Sequence, residues 1–341
     1  MYRLILYLVV ASVFCQSCSR LSSKEGMVGY QEDKICGVSF VAANEPIDYN
    51  DFEPVVDLNA TWVSLMPYAF LNDSKLHFNT NRQWWGETKS GIISMVNQSH
   101  AYGLHVMLKP QVWIRHGAFT GHYQAPDEEG WQELEQSYRA YMLHYAGLAD
   151  SLHVEIFCIG TEWATFIVAR PDFWHELIGD VRKIYSGKLT YAANWDEYMS
   201  IPFWSRLDYI GINAYFPLSD TEMPTPDMLR EAWRKPLDEM ESASRKFQKP
   251  VLFTEYGYRS VPHAAKEPWV SGRSDEVSLP AQTTAYQALY ATVWGKPWLA
   301  GGFLWKWYHN HETMGGELHS GFTPQNKPAE EVIRDQYFMS K

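Results

Sequence analysis

The sequence predicts an α/β fold, a single (β/α)8 TIM barrel with enlarged βα loops. Three observations predict it. Eight short apolar segments, all but one followed by a helix-like segment, succeed one another along the chain of 341 residues. Several apolar segments lack polar alternation, which is typical of strands buried on both faces of a parallel sheet. No linker-like stretch divides the chain after residue 34, which argues against two domains.

The predicted elements follow one another in regular order. Strands are predicted at 36–40, 61–66, 104–108, 154–162, 189–193, 207–212, 251–255 and 299–304. Helices are predicted at 51–58, 88–102, 131–150, 171–185, 225–247, 280–294 and 328–337. Long loops are predicted at 67–86, 117–130 and 260–279. A doubly wound open sheet is the alternative, but Val41-Ala-Ala-Asn44 follows the first strand in place of a glycine-rich phosphate turn.

The N-terminal segment predicts export. Residues 1–18 have a short basic start, an apolar run too short to span a bilayer, and a small, polar end. They resemble a bacterial lipoprotein signal peptide with Cys18 as the lipidated residue; Cys15 is the weaker site, and an ordinary secretory signal is the alternative. Residues 19–34 are predicted to be a flexible tether and residues 35–341 the barrel. We therefore expect an exported, membrane-anchored lipoprotein, periplasmic or at the cell surface.

The composition indicates which classes of partner the protein can bind. The formal net charge is −11, which gives nucleic-acid binding no electrostatic support. Aromatic residues make up 15% of the chain, enough to line a sugar cleft as well as to fill a core, because the C–H faces of sugars lie on aromatic rings. After the signal only Cys36 and Cys158 remain, both in apolar strands. A buried thiol is the usual state of such residues, and a disulfide is the alternative.

Polar and aromatic side chains gather at the C-terminal ends of the predicted strands, where barrel enzymes build their sites. The candidates are Lys109, Gln111, Trp113, Glu162, Asn194, Trp195, Asn213, Tyr215, Glu255, Tyr256 and Trp305. The alternative for Lys109 is an ion pair with a neighbouring carboxylate. The alternative for Trp113 and Trp195 is the core. Tyr256 is predicted to be part of the wall that holds either the sugar or a catalytic carboxylate.

The two carboxyl groups, Glu162 after the fourth strand and Glu255 after the seventh, favour glycoside hydrolysis. That reaction needs one carboxyl group to protonate the leaving oxygen and one to attack or to activate water. Neighbouring carboxyl groups push their pKa values apart, so one stays protonated near neutral pH. Structural ion pairs are the alternative, but both glutamates lie among aromatic residues. No metal or cofactor is predicted, because His309 and His311 have no histidine partner at the neighbouring strand ends.

Three motifs resemble a known family. They are Gly160-Thr-Glu-Trp163, Phe253-Thr-Glu-Tyr-Gly-Tyr258 and Gly302-Phe-Leu-Trp-Lys-Trp307. Together they resemble clan A of the retaining glycoside hydrolases and, within it, glycoside hydrolase family 113, the β-1,4-mannanase family. The resemblance covers most of the chain from about residue 35 onward.

The resemblance implies roles for individual residues. It makes Glu162 the general acid/base and Glu255 the nucleophile, with a hydrogen bond from Tyr215 to the nucleophile and Trp305 beneath the sugar at the cleavage point. Many clan members carry asparagine immediately before the acid/base, where this chain has Thr161. The contact with the sugar 2-hydroxyl is therefore expected from Asn194 or Lys109.

The substrate is expected to be a β-linked polysaccharide or oligosaccharide, and the resemblance implies β-1,4-mannan. Glucans, galactans and mixed linkages stay open, as does the choice between internal and terminal cleavage. We expect a monomer. The alternative function is a cell-surface glycan-binding lipoprotein on a catalytically weak or inactive barrel. The presence of both glutamates argues against that alternative.

Overall fold

The chain folds into a closed barrel of eight parallel strands in a computed structural model that describes residues 33–81, 83–114, 117–272 and 276–340. The barrel prediction is thereby confirmed. The predicted signal peptide and residues 19–32 of the predicted tether lie outside the described residues. Among the helices of the described ranges, none has the length and apolar character needed to cross a membrane.

The eight barrel strands follow the predicted positions closely, and three further strands form a separate sheet. In chain order they are β1 (Ile35–Phe40), β2 (Trp62–Leu65), β3 (Tyr68–Asn72), β4 (Lys75–His77), β5 (His105–Leu108), β6 (Gln111–Ile114), β7 (Ile156–Thr161), β8 (Lys188–Asn194), β9 (Ile210–Asn213), β10 (Val251–Tyr256) and β11 (Leu299–Trp307). Around the barrel the order is β1, β2, β5, β7, β8, β9, β10 and β11, and β11 pairs with β1 to close it. Every residue of β1 and β10 is buried, as expected for strands covered on both faces.

Helices cover the outside of the barrel. They are α1 (Glu53–Asp57), α2 (Lys89–Ala101), α3 (Glu128–Ser151), α4 (Ala164–Ala169), α5 (Pro171–Ile184), α6 (Pro226–Ala232), α7 (Arg234–Phe247), α8 (Leu279–Leu289) and α9 (Pro328–Met339). Helix α3 begins three residues before its predicted start, because Asp127 Oδ1 accepts a hydrogen bond from the Gly130 N–H at 2.8 Å and caps it. The helix predicted at 225–247 is interrupted at Trp233, since Pro236 cannot donate to the carbonyl group of Ala232.

A small sheet outside the barrel corrects the prediction that 67–86 is only a loop. It contains β4, β3 and β6, in that order, with β3 and β6 parallel. Asp73 and Ser74 have φ of 44° and 64°, the left-handed backbone that a two-residue hairpin turn requires. The prediction failed because the partly exposed positions of β3 are aromatic, Tyr68 and Phe70, so the sequence shows no polar alternation.

Cys36 and Cys158 are both buried, and neither forms a disulfide. They lie on β1 and β7, which do not neighbour each other in the barrel. Burial raises the pKa of the Cys158 thiol to about 11, so this group is a protonated packing residue.

Candidate active site

Glu162 lies directly after β7, at the C-terminal end of the barrel. Its backbone is left-handed, with φ of 55°, and its N–H donates to the Ala192 carbonyl oxygen at 2.9 Å. A left-handed residue other than glycine costs conformational energy, which the surrounding contacts must offset. Two residues earlier, a Cβ on Gly160 would lie 2.7 Å from the Tyr138 hydroxyl oxygen, so the turn needs glycine there. The backbone thus fixes the position of the Glu162 carboxyl group.

Asn213, the last residue of β9, holds that carboxyl group. Its Nδ2 donates to Glu162 Oε1 at 2.9 Å, and its Oδ1 accepts from Thr254 Oγ1 at 2.8 Å. Because both ends of the amide are bonded and the residue is buried, its orientation is fixed. The residue predicted to bind a sugar hydroxyl is therefore a direct partner of Glu162.

Glu255 lies near the end of β10 and is only 6% exposed. The Tyr215 hydroxyl donates to its Oε2 at 2.8 Å, Lys109 Nζ donates to its Oε1, and Gln111 Nε2 lies 3.4 Å from the same oxygen. Lys109 is fully buried and forms an ion pair with Glu255. The alternative considered for Lys109, an ion pair with a neighbouring carboxylate, therefore describes the structure, and the partner is Glu255 itself. Donors that converge on a carboxylate stabilise its charged form.

The two carboxyl groups differ in their surroundings. Burial, followed by the negative charge of Glu255, raises the pKa of Glu162 to about 7, while the Asn213 amide and the Lys109 ammonium oppose the rise. Burial and the adjacent Glu255 carboxylate raise the pKa of the Tyr215 hydroxyl, which stays protonated and able to donate. Glu255 is therefore surrounded by hydrogen-bond donors, while the raised pKa of Glu162 lets that carboxyl group carry a proton near neutral pH.

A cleft runs along this end of the barrel in two parts that share Trp305. The part that we call the catalytic cavity has a volume of about 560 Å³. It is lined by Phe119, His122, Glu162, Asn194, Trp195, Asp196, Tyr215, Glu255, Trp269, Ser271, Trp305 and Phe322. The part that we call the aromatic cavity has a volume of about 550 Å³. It is lined by Val41, Ala42, Met66, Tyr68, Phe70, Trp84, Glu87, Trp113, Trp305, Lys306 and Tyr308.

Asn194 and Trp195, both predicted from the sequence to bind substrate, line the catalytic cavity. Asn194 Oδ1 accepts from the Trp195 N–H at 3.0 Å, which leaves the amide nitrogen as a donor for a ligand. The Trp195 ring stacks on Trp269, with centroids 5.3 Å apart and planes at 20°. Trp195 also packs on the core through Phe216. One side of the residue therefore faces the cavity and another contacts the core, the alternative considered for it from the sequence.

Trp113 reaches the cleft through the small sheet rather than through a barrel strand. It belongs to β6, is 50% exposed and lines the aromatic cavity. Gln111 opens the same strand and accepts a hydrogen bond at 2.6 Å from the hydroxyl of Tyr68 on β3. The small sheet therefore connects the aromatic cavity to Glu255 through Tyr68 and Gln111.

Tyr256 does not line either cavity, contrary to its predicted place in the cleft wall. It is fully buried, and its hydroxyl lies 3.0 Å from that of Tyr290 and 2.7 Å from that of Tyr337, on the helices outside the barrel. Successive residues of a strand face opposite sides, so Tyr256 points outward because Glu255 faces the cleft. Tyr258 is likewise buried against Tyr286.

His311, which follows β11, is engaged within the protein. His311 Nε2 lies 3.1 Å from Glu330 Oε1, and its ring packs on Trp307. Within the described ranges, no group of three or more histidine, cysteine, aspartate or glutamate side chains is arranged to hold a metal ion.

Several lining residues were missed from the sequence. They are Tyr68, Trp84, Glu87, Phe119, His122, Trp269 and Phe322. All of them lie outside the barrel strands, most in loops where no periodicity marks which side chains face inward. The Trp84-Trp85 pair was a usable signal, because adjacent tryptophans in a polar connection are seldom all core.

The barrel, with two glutamates from β7 and β10 facing one cleft, defines a clan A glycoside hydrolase. The family model described as Glycoside Hydrolase Family 113 matches residues 44–327. The chain belongs to glycoside hydrolase family 113, as the sequence motifs predicted. No curated protein matched the sequence.

Solved structures of the same family are similar over nearly the whole chain. The GH113 β-mannanase AaManA from Alicyclobacillus acidocaldarius, in complex with ManMIm, is 25% identical with a TM-score of 0.79, covering 92% of this chain and 100% of its own. A complex of a GH113 β-1,4-mannanase is also 25% identical, with a TM-score of 0.77 over 90% and 99% of the two chains. A Faecalibacterium prausnitzii β-glucuronidase, 15% identical with a TM-score of 0.60 over 90% of this chain and 49% of its own, shares the fold alone.

Proposed function

We propose that the protein is a retaining endo-β-mannanase, with Glu255 as nucleophile and Glu162 as general acid/base. The observation that carries the proposal is the unequal environment of the two carboxyl groups. Lys109 and Tyr215 donate to Glu255, which favours the anion that a nucleophile must be. The pKa of Glu162 is raised to about 7, which leaves it a proton for the leaving sugar near neutral pH.

In the first half of the reaction, a Glu255 oxygen attacks the anomeric carbon. The bond from that carbon to the bridging oxygen breaks, and Glu162 transfers its proton to the departing oxygen. The products of this half are a shortened sugar chain with a free hydroxyl group and a glycosyl ester on Glu255. The Tyr215 hydroxyl and the Lys109 ammonium keep the attacking carboxylate oriented toward the sugar.

In the second half, water replaces the leaving sugar. The ester carries no charge, so burial still raises the pKa of Glu162 but the contribution from the negative charge of Glu255 has gone. The pKa of Glu162 is therefore lower than in the first half, which favours the carboxylate that acts as base. It accepts a proton from water as the water oxygen attacks the anomeric carbon and releases Glu255 as a carboxylate. Two inversions at one carbon give net retention.

The substrate part of the proposal rests on relatives and on the cleft. The two family structures described above are named as mannanases. Cavities of about 560 and 550 Å³ on the two sides of Trp305 provide room for sugars on both sides of the cleavage point, which supports cleavage within a chain. Since Lys109 is engaged with Glu255, we assign the sugar 2-hydroxyl contact to Asn194, which lines the catalytic cavity.

The test compares Glu162→Ala and Glu255→Ala on β-1,4-mannan and on an aryl β-mannobioside, with Glu312→Gln, an exposed carboxyl on the loop after β11, as the control. Azide is expected to restore turnover of the aryl substrate, giving the β-azide with Glu162→Ala and the α-azide with Glu255→Ala. NMR of wild-type hydrolysis is expected to show the β-anomer first. Initial formation of the α-anomer, or full activity in either variant, contradicts the assignment. A wild type that binds mannan without cleaving it supports the glycan-binding alternative.

We also propose that the chain is exported and anchored through lipid on Cys18. Acylation at a single cysteine near the N-terminus would leave the barrel free outside the membrane. Metabolic labelling with a radioactive fatty acid is expected to mark the wild-type chain and not Cys18→Ser. Equal labelling of both chains rules out Cys18 as the site.

A further inference from the structure

A small cavity, which we call the basic cavity, lies within the loop that follows β10. Its volume of about 150 Å³ is below the range of roughly 300–1,000 Å³ that sites for larger organic ligands have. A ligand that fills it is therefore small. Its ionisable lining residues are Arg259, His263, Lys266 and Glu267, so basic side chains outnumber acidic ones.

The guanidinium group of Arg259 is the cation of this cavity that lacks a partner. Its Nη2 atom is buried, and no acceptor among the described residues is within hydrogen-bond distance of it. Burial lowers the pKa of the guanidinium group below its usual value. A buried donor without an acceptor costs free energy, and a charge that has lost water costs more. An anion that accepts hydrogen bonds from Arg259 reduces both costs.

Two further basic groups lie next to Arg259 and add to the positive charge. Lys327 is 4% exposed, and its ammonium group donates to Ser260 Oγ and to the Gly321 carbonyl oxygen, each at 2.9 Å. Burial, followed by the charge of Arg259, lowers the pKa of Lys327 to about 7. Burial and then the charge of Lys327 lower the pKa of His319. Cations are thus concentrated at this loop in a chain whose formal net charge is −11.

The other ionisable side chains of the lining do not neutralise Arg259. Lys266 Nζ lies 3.8 Å from Asp220 Oδ1, and His263 Nδ1 donates to the Asp220 carbonyl oxygen at 3.0 Å. Glu267 is exposed, and no ion pair joins it to Arg259 in the described part of the chain. Water and salt screen an exposed carboxylate, so the charge of the partly buried guanidinium group stays largely unbalanced. The cavity therefore favours an anion from outside the chain.

A short segment of the same loop separates the basic cavity from the catalytic cavity. Pro268 and Val270 line the basic cavity, whereas Trp269 and Ser271 line the catalytic cavity. A ligand in the basic cavity therefore lies behind the wall of the cleft and does not occupy the place of the reacting sugar. The ligand of this site is thus a separate small molecule and not part of the chain being cleaved.

We propose that the basic cavity is a binding site for a small free oxyanion, of the class of phosphate or a carboxylate, and that Arg259 is its main ligand. The inference does not depend on the proposed function. A guanidinium group suits such anions because two of its N–H groups can donate to two oxygens of one anion. Because the anion binds the folded chain, its binding stabilises the fold by mass action.

The test measures the melting temperature of the full chain in sodium chloride, sodium acetate and sodium phosphate at one ionic strength, and the dissociation constant by calorimetry. The variants are Arg259→Gln and Glu267→Gln, with Arg234→Gln as the control, because Arg234 is 74% exposed in a surface pair. We expect phosphate or acetate to raise the melting temperature of the wild type and of the control. Binding to Arg259→Gln is expected to be about tenfold weaker or more, the loss typical of a hydrogen bond to a charged group.

Two further results are expected from the same measurements. In chloride, Arg259→Gln is expected to melt no lower than the wild type, since the substitution removes an unpaired cation beside Lys327. Glu267→Gln, which takes the negative charge out of the lining at an exposed position, is expected to bind the anion more tightly.

The outcomes decide both the site and the class of anion. A response to phosphate alone assigns the phosphate class, and a response to acetate alone assigns the carboxylate class. A wild type that melts at the same temperature in all three salts overturns the site. An equal rise in the wild type and in Arg259→Gln also overturns it, because that result is a general effect of salt. Weaker binding by Glu267→Gln than by the wild type contradicts the proposed charge balance of the cavity.

Discussion

The buried ion pair between Lys109 and Glu255 makes activity and stability depend on one lysine. Lys109 is completely buried, and its ammonium group donates to Glu255 and lies 5.7 Å from the centroid of the Trp305 ring. Lys109→Met keeps most of the side-chain volume and removes the charge. Removing one member of a buried pair costs about 3–5 kcal/mol, because the remaining charge has lost its partner.

Glu255 has one way to reduce that cost, which is to bind a proton. A protonated carboxyl group cannot attack the anomeric carbon. Protonation therefore lowers the fraction of enzyme molecules that can react. With about 1.4 kcal/mol for each factor of ten, a cost of about 3 kcal/mol shifts the balance between the charged and the protonated carboxyl group about a hundredfold toward the protonated form, so we expect kcat to fall, and to fall most at the acid end of the pH range. We also expect a lower melting temperature for Lys109→Met. The double variant Lys109→Met/Glu255→Gln is expected to regain stability without activity, because it buries no charge at this position.

The assay is initial-rate hydrolysis of mannan across the neutral pH range, with melting measured by calorimetry on the same samples. Lys235→Met is the matched control, since this lysine is 84% exposed and lies 3.8 Å from Glu239 in a surface pair. A kcat for Lys109→Met equal to wild type refutes the reasoning. So does a double variant that melts no higher than Lys109→Met alone.

Two further predictions concern residues placed by the structure. Asn213→Ala removes the amide that stabilises the charged form of Glu162, so we expect the pKa of Glu162 to rise. The alkaline limb of the pH profile of kcat/KM then moves to higher pH. A limb that moves to lower pH contradicts the assignment of Glu162 as the acid. Tyr256→Phe is expected to lower stability by about 1–3 kcal/mol, because two buried hydrogen bonds are lost, while kcat and KM stay unchanged. Denaturant titration and steady-state kinetics check the second, and a kinetic defect at unchanged stability would place Tyr256 back in the cleft.

The parts of the site on barrel strands could be predicted from the sequence. Glu162 and Glu255 each follow an apolar run, and the C-terminal ends of all barrel strands face one side, so the two residues had to meet. The rule that strand ends face the site also placed Tyr256 in the cleft, where it does not lie. Adjacent positions on a strand face opposite sides, and the sequence did not indicate which of the consecutive residues Glu255 and Tyr256 faced inward.

The parts carried by loops could not be predicted. Glu87 and Trp269 reach the cleft from segments whose path depends on packing against distant residues, such as Ala43 beside Gly86. Such contacts have no period in the sequence. The hairpin of β3 and β4 was missed for a related reason, since its outward positions serve the cleft and are therefore aromatic rather than polar.

The sheet of β3, β4 and β6 pairs only within itself, so none of its ladder hydrogen bonds contributes to closing the barrel. Its strands can become longer or shorter, and its residues can be exchanged, without changing the register of the strands that carry the glutamates. The glutamates and most of the aromatic side chains that this sheet adds to the cleft are thus carried by separate sheets, and Gln111 is the point at which the small sheet reaches Glu255. Grafting this sheet between family members, with Gln111 retained, is a route by which evolution or protein engineering can change the aromatic wall of the cleft while the two glutamates stay in place.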